Sequence, residues 1–429
     1  MYPPLVLHSD PLSYTVAAYR LTETGTYSFG GEDPDVPRQA DAAIMPGYPG
    51  FLAGFYLLHG DGGDFEGVVR DVHPYVLGVQ FVVVVATVGL ISLCGIALGG
   101  PLVGIVSGLL AAGYLPFAWA SSVALTEALG VFLMMVQLLI ALRLVDEERT
   151  PTPWLAFSFG FVTALLTMVR PIQVLWLLVP VAWAIARRQV RLAVLARLAA
   201  IGVVGFLIVF SPWWVRNAVT LQEFHLLTGP NANGIGLGGA RLDAQGGWEL
   251  SDEEWVVYNR AKAAGEDAAA AVADMRIERE WEAGPSEFVA KRVRYTRDVV
   301  YWPFLFWDSV IALDANSSDN LRRIRFSAPL DEPTEALVAV QPGQVEYHRI
   351  LIVLAMIGAG FIRRWPRLLL VATIPFYSIL VHSAILFHSR YFFAAMPAIV
   401  LLAAAAICGV AFRLRETFTP MDPTSGEEG

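Results

Sequence analysis

"PYVLGVQFVVVVATVGLISLCGIALGG", residues 74–100, contains no charged side chain. A helix of this length, rising 1.5 Å per residue, crosses the roughly 30 Å hydrocarbon core of a bilayer with residues to spare. An apolar run half as long would fit the core of a soluble protein. This one predicts a membrane-spanning helix near 73–98, and further long apolar runs follow near 99–118, 121–145, 153–170, 171–187, 193–212, 348–363, 367–386 and 390–412. Composition agrees: 55% hydrophobic and 16% charged residues over 429 positions, with a mean hydropathy of +0.53, exclude an ordinary soluble domain. The expected fold class is an all-α polytopic membrane protein, a bundle of about nine transmembrane helices.

Orientation follows from the arginines. Arg143 and Arg149, then Arg187, Arg188, Arg191 and Arg197, then Arg363, Arg364 and Arg367, then Arg413 and Arg415 fall on alternate ends of the spans. By the positive-inside rule those ends are cytoplasmic. The expected division is an extracytoplasmic segment 1–72, membrane helices over 73–216, an extracytoplasmic region 217–347, C-terminal membrane helices over 348–413 and a cytoplasmic tail 414–429. The first twenty residues lack the basic flank and apolar core of a signal peptide. An outside N-terminus without such a signal leads to the expectation of a further membrane helix before residue 1.

The net charge of −9 comes mainly from these polar segments, so it identifies no anionic or cationic partner, and nucleic acid is not expected. Cys94 and Cys408 both lie in apolar runs, which leaves no disulfide framework and no zinc pattern. The outer region has local order of its own. "SDEE", 251–254, reads as a capping box, and Pro285 after Gly284 opens a helix, "PSEFVAKRVRYTRDVVYW". That helix sets Phe288, Val289 and Val299 against Lys291, Arg292, Arg294 and Arg297. It suits either the outer membrane surface or a solvated face packed on the rest of the loop.

Charges are costly inside hydrocarbon, and the span middles are nearly free of them. The exceptions gather at the outer side: Glu127 near the start of the third span, Arg170 at the end of the fourth, Arg216 after the sixth, and His382, His388 and Arg390 around the last outer turn. Asp10 and Arg38 belong to the outer N-terminal segment. Each has a plainer reading. Asp10 before Pro11 suits a helix N-cap, the arginines suit snorkelling to headgroups, Glu127 suits an interfacial hydrogen bond, and two histidines six residues apart are not a helical metal pair. Arginine is also suited to bidentate phosphate binding. "GIGLGG", 234–239, lacks the strand and helix a dinucleotide site needs, and "DPD", 33–35, reads as a solvated turn.

Several stretches taken together resemble a known family. "HSDPLSYTVAAYRLTETGTYSF", "MPGYPGFLAGFYLLHG", "SSVALTEALGVFL", "TMVRP", "SPWWVRNAVTLQEFHLLTGPNANGIGLGG" and "HSRYFFAAMPAIVLLAA" occur in that order along nearly the whole chain. They resemble the bacterial GT-C glycosyltransferases related to protein O-mannosyltransferases and the lipid A aminoarabinose transferase. The resemblance implies a GT-C-like bundle whose first helix lies before this sequence, with amphipathic helices in the outer loops. It implies a polyprenyl-phosphate-linked sugar donor, an acceptor on the extracytoplasmic side of the plasma membrane, and inversion at the anomeric carbon. Asp10 occupies the place of the family's essential acid. Many relatives carry a second acid next to it; here Pro11 follows, which puts a metal site built on an acid pair in doubt.

On this reading Asp10 is the general base that takes the acceptor's proton. Arg170, Arg216 and Arg390, with His388 as an auxiliary donor, hold the lipid phosphate, and Glu127 orients the sugar or an arginine. Lipid phosphate is a competent leaving group, so no cofactor is required. The competing reading is a transporter or flippase of a lipid-linked saccharide, for which internal repeats and a mid-membrane site would be expected.

Overall fold

The structure, a computed structural model, describes residues 9–29, 39–59, 64–146, 150–187, 191–228, 252–264, 268–301, 335–363, 365–385 and 392–418. All regular structure among them is helical, which bears out the all-α class. The uncharged run 74–100 lies almost wholly in one long helix, α3 (Phe65–Gly99), preceded by α1 (Ser9–Thr24) and α2 (Gly47–His59) in the N-terminal segment. Asp64 starts α3 by accepting a 2.9 Å hydrogen bond from the Gly67 amide. At about 52 Å the helix exceeds the hydrocarbon thickness, and its first turns bury Val68, Val72 and Val76 against the N-terminal segment.

Gly100, at φ +86°, turns the chain into α4 (Pro101–Ala112), a conformation open to glycine and costly for other residues. The two helices approach closely because Gly95 and Gly104 face each other, and Ser92 Oγ donates to the Gly104 carbonyl at 2.9 Å. The second apolar run is not one helix: α4 stops at Ala112 and a separate α5 (Leu115–Ala120) follows. Pro116 has no N–H to continue the ladder. The non-helical backbone beyond α5 is covered by Gln80 of α3, whose Nε2 donates to the Val123 carbonyl at 2.8 Å and to Ser121 at 3.3 Å. Irregular backbone at membrane depth needs such a partner.

Then come α6 (Thr126–Leu144), α7 (Pro153–Val169), a 3₁₀ segment (Pro171–Leu177), α8 (Leu178–Ala186) and α9 (Leu192–Thr220). The α7–α9 contact is glycine-lined: Gly160 abuts the Gly202 carbonyl, and Gly205 the Phe157 carbonyl. Outside the bundle lie α10 (Asp252–Ala263), α11 (Ala268–Glu282) and α12 (Gly284–Tyr301), followed by α13 (Glu335–Ala359), α14 (Leu368–Ile385) and α15 (Met396–Phe418). Alanine-rich α15 is buried through Ala403–Ala406 and packs on α13 and α4, with Gly358 of α13 against the Leu402 carbonyl. Among the described residues four helices are long and apolar enough to cross a membrane, Phe65–Gly99, Thr126–Leu144, Leu192–Thr220 and Phe393–Arg413. The other apolar segments are shorter, among them Pro101–Ala112, Pro153–Val169, Pro171–Ala186 and Leu368–Val381.

The expected outer helices form at Asp252 and at Gly284, the latter with φ +83°. Ser251, the other half of the expected capping box, lies outside the described residues. Glu254 is engaged elsewhere, since its two oxygens take Arg276 Nε at 2.9 Å and Nη2 at 3.2 Å, fastening α10 to α11. In α12, Phe288, Val289 and Val293 are exposed, and Arg292 stacks over Phe288. The far end of α12 is held by His348 of α13, whose Nε2 lies 2.9 Å from the Val300 carbonyl and whose Nδ1 lies 3.0 Å from the Tyr114 hydroxyl.

Candidate functional site

The N-terminal segment builds one wall of the site. Helix α1 (Ser9–Thr24) is followed, across a loop, by α2 (Gly47–His59). In the structure α1 is wedged between two packed groups. Ala17 touches the group formed with Ala164 and Met168 of α7 and Phe210 and Trp213 of α9. Ala18 faces Tyr48, Leu52 and Tyr56 of α2 and Val68, Val72 and Val76 of α3. Two adjacent alanines turn about 100° apart on a helix, and their small size lets α1 come close on both sides. Arg20, one turn beyond Ala17, is buried as well.

Polar groups pin this wall. Tyr48 Oη donates to Gln80 Oε1 at 2.7 Å, and Tyr56 Oη lies 2.8 Å from His73 Nε2. Burial pushes the Tyr56 phenol well above its ordinary pKa. Gly47 brings the start of α2 against the backbone of Met168 and Val169, beside Arg170.

Arg216, in the last turns of α9, holds the loop between α1 and α2. Its Nη1 donates to the Asp41 carbonyl at 2.6 Å and to Asn217 Oδ1 at 2.9 Å, and its Nη2 donates to the Tyr27 carbonyl at 2.8 Å. The guanidinium stacks over the rings of Tyr27 and Trp213, at 5.5 and 5.2 Å. The Asp41 carboxylate closes the same loop by accepting from the amides of Phe29 at 2.8 Å and Ala43 at 3.1 Å. Burial first, and then the Asp41 carboxylate, push the Tyr27 phenol well above its usual pKa. Arg216 thus clamps two backbone carbonyls of this loop.

Glu127 and Arg170 come together. Glu127, in the first turn of α6, is 0% exposed; Arg170, which closes α7, is 7% exposed, and its Nη2 reaches Glu127 Oε1 at 3.4 Å. Thr126 Oγ1 donates to the other carboxylate oxygen at 3.4 Å. A buried pair of this kind is costly to desolvate and costly to break. It is a fixed charge arrangement at one end of the bundle, made from two residues that the sequence shows only as separate charges.

Asp10 lies in the first turn of α1, one residue inside the helix start at Ser9 rather than at the cap. The helix N-terminus favours a carboxylate there, and Pro11 suits a first turn. The Asp10 side chain lies outside the described residues, as do His388, Arg390, Arg38 and the stretches 33–35 and 234–239; so does the side chain of His382, whose backbone belongs to α14. Among the described residues no group of three His, Cys, Asp or Glu side chains is placed to hold a metal ion. Sequence reasoning missed Arg20, Asp41 and the Tyr56–His73 pair. The helical spacing of Arg20 from Ala17 was a usable signal; the others depend on contacts between segments.

No protein-family model and no curated protein matches the chain. Among solved structures it is similar to ArnT from Cupriavidus metallidurans bound to undecaprenyl phosphate, at 12% identity and a TM-score of 0.45, over 97% of this chain and 77% of that one. It is also similar to the archaeal oligosaccharyltransferase AglB from Archaeoglobus fulgidus in complex with an inhibitory peptide and a dolichol-phosphate, at 12% identity and a TM-score of 0.49. That match covers 97% of this chain and 48% of the other, so the chain spans about half the length of AglB. Likeness at this level concerns the course of the chain and transfers none of those ligands to it.

Proposed function

We propose that this protein is a membrane glycosyltransferase of GT-C type that moves a sugar from a polyprenyl-phosphate donor to an extracytoplasmic acceptor. The observation that carries the reading is the buried Glu127–Arg170 pair at one end of α6 and α7, beside the docked segment whose helix α1 carries Asp10 in its first turn. A cation at this place suits a lipid phosphate at the membrane boundary, and a carboxylate at the start of α1 suits a base. The family resemblance in the sequence supports the same assignment.

In the proposed step the acceptor hydroxyl oxygen attacks the anomeric carbon from the face opposite the phosphate. Its proton passes to the Asp10 carboxylate, the bond from the anomeric carbon to the phosphate oxygen breaks, and the lipid phosphate leaves with the electron pair. General-base catalysis of this kind contributes about 10²- to 10⁴-fold. Arg170 faces the charge that grows on the leaving phosphate, with Arg390 and His388 as further donors, and Glu127 holds the Arg170 guanidinium in place. Arg216 acts one step removed, by fixing the loop that connects α1 to α2. The site lies at the plasma membrane, on its extracytoplasmic face.

The test uses proteoliposomes, a panel of labelled polyprenyl-phosphate sugars and extracted envelope acceptors. Wild type is expected to transfer label, and Asp10→Asn to transfer at least about 100-fold more slowly. Equal rates for the two would remove Asp10 as base. Movement of labelled lipid across the bilayer without transfer would establish the flippase reading instead.

A further inference from the structure

Among the described residues, one cavity of the bundle is lined by none of the residues of this site. It has a volume of about 870 Å³ and lies between α8 and α9, with α7 as its floor, within the size range of small-molecule sites. Its walls include Ala156 and Gly160 of α7, Val181 and Ala184 of α8, and Leu198 and Phe206 of α9. It exists because Pro171 breaks the chain into a 3₁₀ segment before α8, while Gly160, Gly202 and Gly205 draw α9 tightly onto α7 and leave α8 splayed away. Leu178, Ile185, Leu192 and Val203 on the flanking helices are exposed, so the cavity is bordered by surface suited to hydrocarbon rather than water.

Its charge is confined to one end. Arg187, stacked over Trp183, stands at the mouth with Asp146, whose carboxylate is 3.6 Å from Arg367 Nη1. Arg191 begins α9 at the same end. From Leu195 to Phe206 the α9 wall is about 16 Å deep, close to half of the ~30 Å hydrocarbon core. The cavity therefore runs from an arginine-bearing interface to the middle of the bilayer, the dimensions of one leaflet.

We propose that this cavity binds one bilayer phospholipid, with an acyl chain between α8 and α9 and its anionic phosphate at Arg187. The donor's prenyl chain is a poorer fit. Arg170 closes α7 at the end opposite the mouth, so a donor reacting beside Arg170 has its phosphate at the far end of the helix from Arg187. The site is one for a structural or regulatory lipid, independent of the transfer reaction.

The experiment places the full-length protein in nanodiscs of phosphatidylglycerol and phosphatidylethanolamine, exchanges it into detergent and records native mass spectra. Wild type is expected to retain one phosphatidylglycerol. Ala199→Phe, which fills the cavity from α9, is expected to abolish retention; Arg187→Gln is expected to lower it about fivefold, the effect of one cation at an anionic headgroup. Circular dichroism shows whether each variant is folded, and exposed Arg187 gives a variant that leaves the core untouched. The proposal is overturned if wild type retains no phospholipid, if folded Ala199→Phe and Arg187→Gln retain as much as wild type, or if protein purified from cells carries a polyprenyl phosphate that Ala199→Phe displaces. None of these readouts needs transfer activity, so their failure leaves the transferase reading to its own assay.

Discussion

Gly130 lies directly under the stem of Arg170: a Cβ added to Gly130 would fall 2.7 Å from Arg170 Cδ and 3.2 Å from Cγ. The bare backbone of α6 is what lets the guanidinium reach Glu127. Gly130→Ala should displace the stem and cost about 1–3 kcal/mol. Transfer should fall by about tenfold or more while the protein remains folded, which the transfer assay and a thermal melt together would show.

Removing Glu127 strands a buried cation. Glu127→Ala should destabilise the protein by about 3–5 kcal/mol, and Glu127→Gln, which keeps the shape and an acceptor, by less. Melting temperatures in detergent check the order. Adding Arg170→Met to Glu127→Ala should recover part of the loss, since the orphaned charge is then gone as well; no recovery would show that the pair does not act as a unit.

Arg216→Lys keeps the charge but loses the forked geometry that serves the Tyr27 and Asp41 carbonyls together. Hydrogen exchange at residues 26–29 and 41–45 should rise, with little change in α13 or α15. Each lost charge-assisted bond is worth about 1.5–3 kcal/mol. Unchanged exchange would show that the loop is held by its other contacts, including Asp41 to the Phe29 amide.

Gly160→Ala drives a methyl group into the Gly202 carbonyl, backbone against backbone, where neither side has a rotamer to yield. A loss of about 3 kcal/mol or more is expected, visible as a lower melting temperature. Gly50→Ala, at a position with open space around its missing Cβ, is the matched control and should leave the melting temperature nearly unchanged.

Tyr27 and Tyr56, both with raised pKa values, make stability depend on alkaline pH. An unfolded phenol titrates near pH 10, whereas these two stay protonated above that in the fold. Their contribution is complete below about pH 10 and is lost as pH rises toward the folded values. Spectroscopic titration at the tyrosinate band should show both ionising only with unfolding. Ionisation of every tyrosine near pH 10 in the folded protein would contradict the burial of these two.

The legibility of this protein follows the range of its interactions. An uncharged run such as 74–100 declares a membrane helix because the hydrocarbon sets both length and polarity. The break between α4 and α5 was carried only by Gly113 and Pro116 within an otherwise unbroken apolar run, and a hydropathy pattern does not register it. Glu127 and Arg170 were each conspicuous as charges, yet their pairing across 43 residues is a tertiary fact. Arg216 was legible as a cation at the outer face, but its acceptors are backbone carbonyls, which leave no mark on the residue type. The docking of α1 rests on Ala17 and Ala18, side chains too small to stand out in any pattern.

The link through His348 has a chemical consequence. The Val300 carbonyl can only accept, so Nε2 carries the proton, and a neutral ring then offers Nδ1 as acceptor to the Tyr114 hydroxyl. One imidazole, in one tautomer, joins α13 to α12 and to the turn before α5 through two bonds of opposite sense. An alkylating reagent taking Nδ1 severs the link to Tyr114 and spares the link to Val300, whereas a proton there reverses the first bond, with Nδ1–H donating to the Tyr114 oxygen. Nε2 of His348 is thus the ring atom that reaches α12, and nitrogen-15 labelling at His348 would make it a spectroscopic gauge of whether α12 is joined to α13.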